Sequence, residues 1–309
     1  MRLRERVLTS WLRREWPAWG RVYAALGGAD DARWQAAGVR PVRGRMHGFE
    51  MELDLANWSE RLSWFLGRYH DLPLQQMLRR VLRPGDAFFD VGANLCMLTL
   101  VARAVVGDTG RVIACEPNPV LVARVRRLLQ RNRLTDVALL HAAVGAATGT
   151  VELHEYGGHP GWGSLSARGP DGVHRTASWT VDCRTGDDIL AQQRLDREQP
   201  LVVKVDVEGH ETAVVHGLER TLARRLPLVF VEVVDEHLRR AGSSPAELID
   251  ALAQHGYRGY VLDPVRRGLF GHDVRLMPLQ RHEVREVDAL FVPPDGPLAA
   301  RVAPLLAGR

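Results

Sequence analysis

The sequence FFDVGANL, at residues 88–95, decides the fold because it predicts a buried strand, a tight turn and the beginning of a helix. In a doubly wound α/β sheet this turn lies where ligands bind, outside the carboxyl ends of the strands. Gly92 lets the backbone approach a ligand, although a glycine here can equally serve as a simple turn. Asp90 places a carboxylate where an ammonium group can bind. The segment predicts the first strand and ligand-binding turn of a Rossmann-like sheet.

A second strand, RVIAC at residues 111–115, is followed by Glu116. An acid in this position can accept hydrogen bonds from both hydroxyls of a ribose, and the alternative is a solvated strand-end acid. A dinucleotide also needs the pattern G-x-G-x-x-G to hold its pyrophosphate, and the turn after residue 91 has only Gly92. S-adenosylmethionine contains adenosine but no phosphate. The pattern therefore favours this cofactor over a nicotinamide, and an oxidoreductase stays the less favoured alternative.

The remaining pattern predicts a mostly parallel sheet, because short apolar runs alternate with helical patterns from Pro84 to about Val234. The predicted parallel strands are Ala87–Val91, Val112–Glu116, Val137–Ala142, Leu201–Val205 and Leu228–Val234. The predicted closing strands are Tyr257–Leu262 and Ala289–Val292. The predicted helices are Leu95–Val106, Pro119–Asn132, Glu211–Leu222 and residues 245–255.

The sequence LVVKVDVEGHE, at residues 201–211, ends an apolar strand in a dense polar cluster beside the first strand. Lys204 is the only lysine in the chain, which suggests a site that needs a compact ammonium group. Asp206, Glu208 and His210 are candidates for a base that removes a proton from an acceptor, and the sequence does not rank them. The acids Glu208 and Glu211 can equally be first-turn residues that interact with a helix dipole.

Three motifs together resemble the FkbM family of methyltransferases. They are DVGAN at residues 90–94, VIACEPNP at residues 112–119 and KVDVEG at residues 204–209. The similarity spans roughly residues 64–260. The resemblance implies an α/β Rossmann-like fold with a seven-stranded, mostly parallel sheet and helices on both faces. It also implies S-adenosylmethionine as the methyl donor and O-methylation of a sugar or a small-molecule natural product.

The resemblance assigns roles by position. It implies that the cofactor is bound by Asp90, Gly92 and Asn94 at its methionine end and by Glu116 at its ribose, together with Pro117, Asn118 and Ala143. It implies that the reactive side is lined by Lys204, Asp206 and Glu208, with His210 as a further candidate catalytic residue and Glu232 as a substrate-binding residue.

Cys96 departs from the family pattern, which has glycine in this position. A cysteine fits if the turn keeps a negative φ angle, and otherwise it is expected to narrow the donor pocket. This departure motivates an alternative from another class, a catalytically silent binding protein that keeps the donor fold.

The chain is expected to contain one catalytic domain at residues 81–295, preceded by an extension at 1–80 and followed by a tail at 296–309. The extension predicts a basic amphipathic helix, a hairpin from Val42 to Leu53 and a helical segment from Ser59 to Leu82. The basic helix is expected to pack on its own domain or a partner subunit, and peripheral membrane contact is the less favoured alternative. A homodimer is compatible with this pattern.

Composition excludes several classes of function. The formal charge is +4 and basic residues are interspersed with acids, so no nucleic-acid partner is expected. The three cysteines lack metal-ligand spacing, and no metal site is expected. There is no apolar run long enough for a transmembrane segment and no signal-peptide pattern, so a cytoplasmic location is expected. The expected partner is a small-molecule or glycan acceptor.

A glycine-rich segment at residues 157–172 lies between the predicted hairpin strands Thr150–Glu155 and Ser178–Cys183. We expect this segment and the N-terminal extension to set the choice of acceptor, with Trp162 as a platform for a sugar or aromatic group. Replacing Trp162 by Ala is then expected to raise the KM for the acceptor with little change in donor affinity. Steady-state kinetics test this, and unchanged acceptor kinetics would contradict it.

Overall fold

The protein is described by a computed structural model at residues 9–157, 163–166, 168–169, 171–193, 195–196, 198–269, 271–281 and 284–307. Residues 1–8 of the predicted basic helix and the predicted platform Trp162 lie outside the described residues. Residues 9–13, which continue that helix, are helical.

The strands and helices have the following bounds. The strands are β1 (Val39–Arg43), β2 (Glu50–Asp54), β3 (Ala87–Val91), β4 (Arg111–Cys115), β5 (Val137–Leu140), β6 (Ala143–Val144), β7 (Gly149–Tyr156), β8 (Gly163–Ser164), β9 (Arg175–Arg184), β10 (Leu201–Val205), β11 (Leu228–Val234), β12 (Arg258–Arg267), β13 (Gly271–Pro278) and β14 (Glu286–Val292). The helices are α1 (Trp19–Ala25), α2 (Asp31–Trp34), α3 (Trp58–Leu66), α4 (Leu72–Val81), α5 (Met97–Val106), α6 (Pro119–Arg131), α7 (Gly186–Gln192), α8 (Glu211–His216), α9 (Glu219–Arg225), α10 (Asp235–Arg240), α11 (Pro245–Ala253) and α12 (Ala299–Ala307).

The central sheet has the strand order β13-β12-β14-β11-β10-β3-β4-β5. The five strands β11, β10, β3, β4 and β5 are parallel to one another. β14 pairs antiparallel with β11, β12 pairs antiparallel with β14, and β13 pairs antiparallel with β12. The predicted α/β fold, the five parallel strands and the two closing strands are confirmed. The expected count of seven strands is wrong for the described residues, because β13 adds an eighth at the edge through a hairpin with β12.

The sheet has a hydrophobic core on each face, because successive side chains of a strand point to opposite sides. In β3, Phe88 packs with α5 residues such as Val101, whereas Phe89 packs with Val214 of α8 on the other face. Both phenylalanine side chains are fully buried. The sheet is therefore covered by helices on both faces, as the sequence predicts.

A smaller sheet, in the order β6-β9-β7-β8, contains the predicted hairpin of β7 and β9, which is confirmed. The predicted N-terminal hairpin is also confirmed, as β1 pairs antiparallel with β2. The extension shares the core of the catalytic domain, since Met51 of β2 and Met77 of α4 belong to the same buried cluster as Phe88. This shared core positions the extension against the ends of the parallel strands.

Two predicted helices are interrupted. The segment from Ser59 to Leu82 divides into α3 and α4 because Gly67 adopts φ 65° and ends α3. The segment from Glu211 to Leu222 divides into α8 and α9 at Gly217, where a Cβ atom would lie 2.0 Å from the carbonyl oxygen of Gly145. In both cases a glycine accommodates a turn that the hydrophobic pattern alone does not reveal. Among the helices in the described ranges, none is long and apolar enough to span a bilayer.

Candidate active site

A cavity of about 420 Å³ lies at the carboxyl ends of β3, β4, β10 and β11, and a second cavity of about 260 Å³ adjoins it. The larger cavity is lined by all seven residues predicted to bind the cofactor, which are Asp90, Gly92, Asn94, Glu116, Pro117, Asn118 and Ala143. It is also lined by four residues predicted for the reactive side, which are Lys204, Asp206, Glu208 and Glu232. The candidate His210 lines neither cavity, so the structure does not bring it to this site.

The turn after β3 requires glycine at position 92. Gly92 has φ 74°, and a Cβ atom there would lie 1.8 Å from the carbonyl oxygen of Asp206. The amides of Gly92 and Ala93 both donate hydrogen bonds to the carbonyl oxygen of Cys115, at 3.0 and 2.9 Å. The ends of β3, β4 and β10 therefore meet at one point, and a side chain at position 92 would separate them.

Glu116 is buried and holds two backbone segments together. Its Oε2 atom accepts a hydrogen bond from the amide of Asn94 at 2.7 Å, and its Oε1 atom accepts one from the amide of Asn118 at 2.8 Å. Burial raises the pKa of Glu116 to about 7. Each carboxylate oxygen can accept a further hydrogen bond, and the residue lines the cavity.

Lys204 lies in the middle of the site. Its ammonium group donates a hydrogen bond to the carbonyl oxygen of Gly92 at 2.9 Å and lies 3.1 Å from Oδ2 of Asp206. Burial alone lowers the pKa of Lys204, but the carboxylates of Asp206 and Asp90 outweigh it and raise the pKa above its usual range. Lys204 is therefore a fixed cation and not a base.

Asp90 is fully buried, and its two carboxylate oxygens differ. Oδ2 accepts a hydrogen bond from the hydroxyl of Thr99 at 2.5 Å. Oδ1 has no hydrogen-bond partner among the described residues and lies 3.7 Å from the ammonium group of Lys204. A buried carboxylate oxygen without a hydrogen bond is costly, and burial raises the pKa of Asp90. This oxygen therefore has an unused acceptor position beside the ammonium group of Lys204.

The turn after β10 is built around Glu211. Its Oε1 atom accepts hydrogen bonds from the amides of Val207 and Gly209, at 3.0 and 3.1 Å. Between them, Glu208 adopts the left-handed region with φ 57°. The interpretation of Glu211 as a first-turn acid therefore fits its contacts, whereas Glu208 lines the cavity and lies beside His237.

The part of the two cavities around Glu232 and Asp288 is rich in carboxylates. The carboxylate of Asp206, followed by burial, raises the pKa of Glu232 to about 11. Burial, followed by the charge of Asp71, raises the pKa of Asp288 well above its usual range. Glu286 lines both cavities as well. No arginine lines either cavity in the part of the chain that the structure describes.

Sequence reasoning missed several residues that line the cavity. Tyr69 and His70 lie between α3 and α4, and burial lowers the pKa of His70 to about 4. His237 lies in α10, and no strand-end motif includes it. His70 lies at the break between two helices of the extension, and this position was the only sequence feature that could have indicated it. Motifs at strand ends do not include it.

Comparisons with known proteins give the family. The model of the "Methyltransferase FkbM domain" matches residues 90–258, more than half of the chain. The chain belongs to the FkbM methyltransferase family. The predicted methyltransferase class is confirmed by this match.

Relatives of this FkbM methyltransferase include a hexuronic acid methyltransferase, AglP, of Haloferax volcanii, 26% identical over 191 residues, which are 60% of this chain and 71% of AglP. A solved FkbM methyltransferase from Methylobacillus flagellatus is 13% identical, with a TM-score of 0.42. That alignment covers 87% of this chain, which spans 59% of that protein. Aeropyrum pernix fibrillarin, solved with S-adenosylmethionine bound, is 12% identical, with a TM-score of 0.37 and coverage of 71% of this chain and 72% of fibrillarin.

Cys96, which replaces the family's glycine, adopts a left-handed conformation with φ 58°. The turn therefore does not keep the negative φ angle that would let a cysteine fit without strain. Its side chain is fully buried in the hydrophobic core and does not line the cavity. The strain of this conformation falls on the residue directly before α5, and the side chain does not enter the cavity. The reason for considering a catalytically silent protein is thereby removed.

Metal ligands were not expected. Over the ranges that the structure describes, no group of three or more His, Cys, Asp or Glu side chains has an arrangement that could hold a metal ion.

Substitutions by alanine at Gly92 and at Gly107 form a matched pair that tests the close approach of the backbone at Gly92. Gly107 also has a positive φ, 67°, but nothing lies within 4 Å of a Cβ atom there. Gly107→Ala is expected to cost about 1–3 kcal/mol of unfolding free energy from backbone strain alone, since its ψ angle of −167° lies outside the left-handed helical region. Gly92→Ala is expected to cost more than about 3 kcal/mol and to weaken S-adenosylhomocysteine binding at least about tenfold. Urea unfolding and calorimetry measure these effects, and equal behaviour of the two variants would refute the close approach.

Proposed function

We propose that this FkbM methyltransferase transfers a methyl group from S-adenosylmethionine to a hydroxyl group of a sugar or a sugar-bearing small molecule. The observation that carries the proposal is that one cavity is lined both by Asp90, whose Oδ1 atom accepts no hydrogen bond, and by the half-satisfied carboxylate of Glu116. These two acceptors match the ammonium group and the ribose hydroxyls of the donor. The cavity volume of about 420 Å³ lies within the range of small-molecule sites.

In this proposal Asp90, Gly92 and Asn94 bind the methionine end of the donor. Glu116 binds the ribose, and the adjoining adenosine contacts come from Pro117, Asn118 and Ala143. When bound, the donor supplies an electrophilic methyl group on a positive sulfonium. The residues of the chain bind and orient both partners, since a displacement in line depends on alignment of the acceptor oxygen.

The charges of the cavities support a particular class of acceptor. The carboxylates of Asp206, Glu208 and Glu286 line the cavity, and the ammonium group of Lys204 is already paired with two carboxylates. A negatively charged acceptor would be repelled here, and no arginine among the described lining residues compensates. We infer that the acceptor is a neutral or amine-bearing sugar. This differs from the acid that the name of AglP states for that relative.

The acceptor proposal is tested with matched hexoses that differ in one group: neutral hexosides, their 2-amino forms and their uronic acids. S-adenosylhomocysteine formation by the wild-type protein is measured at low ionic strength. We expect kcat/KM for neutral or amino forms to exceed that for uronic acids by on the order of tenfold or more, because like charges disfavour binding.

The control for this comparison is Glu286→Gln, which removes a carboxylate that lines both cavities and is expected to reduce the discrimination against uronic acids. A preference of the wild type for uronic acids would contradict the charge argument. No methyl transfer to any of the three classes, by protein that binds S-adenosylhomocysteine, would contradict a sugar acceptor.

A further inference from the structure

An acid–histidine pair lies at the acceptor side of the larger cavity. Oε2 of Glu208 lies 2.9 Å from Nδ1 of His237, and the two side chains are each 28% exposed. Both residues line the cavity. Nδ1 of the His237 ring is buried and faces the carboxylate of Glu208 without an aligned hydrogen bond, and Nε2 is the nitrogen that remains for a ligand.

The backbone holds this pair in a fixed arrangement. Glu208 adopts φ 57°, a conformation that costs a non-glycine residue about 1–2 kcal/mol. The carboxylate of Glu211 supports it through the amides on both sides of Glu208. Gly209 follows with φ 111°, and a Cβ atom there would lie 2.4 Å from the carbonyl oxygen of His237. The turn after β10 is thus packed directly against α10.

We propose that Glu208 and His237 form a catalytic dyad in which His237 removes the proton of the acceptor hydroxyl and Glu208 orients and stabilises the charged ring. This proposal rests on the proposed function. The acceptor oxygen bonds to the methyl carbon as the carbon–sulfur bond breaks and leaves its electron pair on sulfur. The hydroxyl proton passes to Nε2 of His237 and then to water. The arrangement is that of a base oriented by a carboxylate.

Other groups in the cavity are less suited to this role. Asp206 is paired with the ammonium group of Lys204 at 3.1 Å. The pKa of Glu232, raised to about 11, keeps it protonated near neutral pH. Burial lowers the pKa of His70 to about 4, which makes it a weak base. The pKa of His237 is raised overall. Glu208 raises it most strongly and burial lowers it, while Arg240 lowers it and Glu211 raises it by smaller amounts.

The pH dependence of kcat and the titration of the His237 ring by NMR test the dyad together. In the wild type, log kcat is expected to rise with pH and to level off above the pKa of His237, because only the neutral ring accepts a proton. Glu208→Gln keeps the shape of the side chain but loses its charge, so both the kinetic midpoint and the NMR pKa are expected to fall by about one pH unit. His237→Gln is expected to lower kcat by about 10²–10⁴-fold.

A second acid–histidine pair provides the control. His216 and Glu219 lie 3.3 Å apart on the surface, and His216→Gln is expected to leave kcat and its pH profile unchanged. Donor affinity is expected to stay within about threefold in all variants, because neither dyad residue belongs to the proposed donor contacts.

Three results would overturn the dyad. An NMR pKa of His237 that does not respond to Glu208→Gln contradicts it whether or not an acceptor is available. A kinetic midpoint near pH 4, or one that stays fixed while the NMR pKa moves, assigns the base elsewhere. If the wild type methylates no hydroxyl acceptor, the proposed function fails and the catalytic role fails with it, even where NMR confirms the ion pair.

Discussion

The site depends on the buried ammonium group of Lys204. It contacts the carbonyl oxygen of Gly92 and the carboxylates of Asp206 and Asp90, and so joins the turns after two neighbouring parallel strands. Burying a charge is costly unless it is paired and hydrogen-bonded, and here the pairing permits the carboxylate of Asp90 to be fully buried, with the partly exposed carboxylate of Asp206 on the other side of the ammonium group. A planar guanidinium group presents a different shape and donor geometry. This accounts for a single lysine in a chain whose other strong bases are arginines.

The carboxylates around Lys204 exceed its single charge, and this surplus gives the cavity its chemical character. Asp90 and Glu116 have raised pKa values because of burial, and the pKa of Glu232 is raised further by Asp206. A cationic ligand relieves this unfavourable burial. The same surplus of negative charge is expected to bind the positively charged donor more tightly than the neutral thioether that remains after methyl transfer. The same carboxylates would then favour both donor binding and product release.

Sequence patterns at strand ends predicted many of the residues that line the cavity, and they gave no indication of the lining residues that come from helices and from the extension. Asp90, Gly92 and Glu116 occupy strand ends, where a parallel sheet brings residues from distant positions to one edge, and all three line the cavity. His210 does not line either cavity, whereas Glu208, two residues earlier in the turn after β10, lines the larger one. His237 could not be found from local pattern, since its role depends on contact with a residue 29 positions earlier in the chain.

The central claim is that the cavity at the ends of the parallel strands binds the methyl donor through Asp90 and Glu116. Calorimetric titration of the purified protein with S-adenosylmethionine and S-adenosylhomocysteine, for wild type, Glu116→Ala and the exposed control Glu219→Ala, tests it most directly. The account predicts micromolar binding that Glu116→Ala weakens by about tenfold or more, while Glu219→Ala has no effect. Absence of binding by wild-type protein shown to be folded by circular dichroism would contradict it.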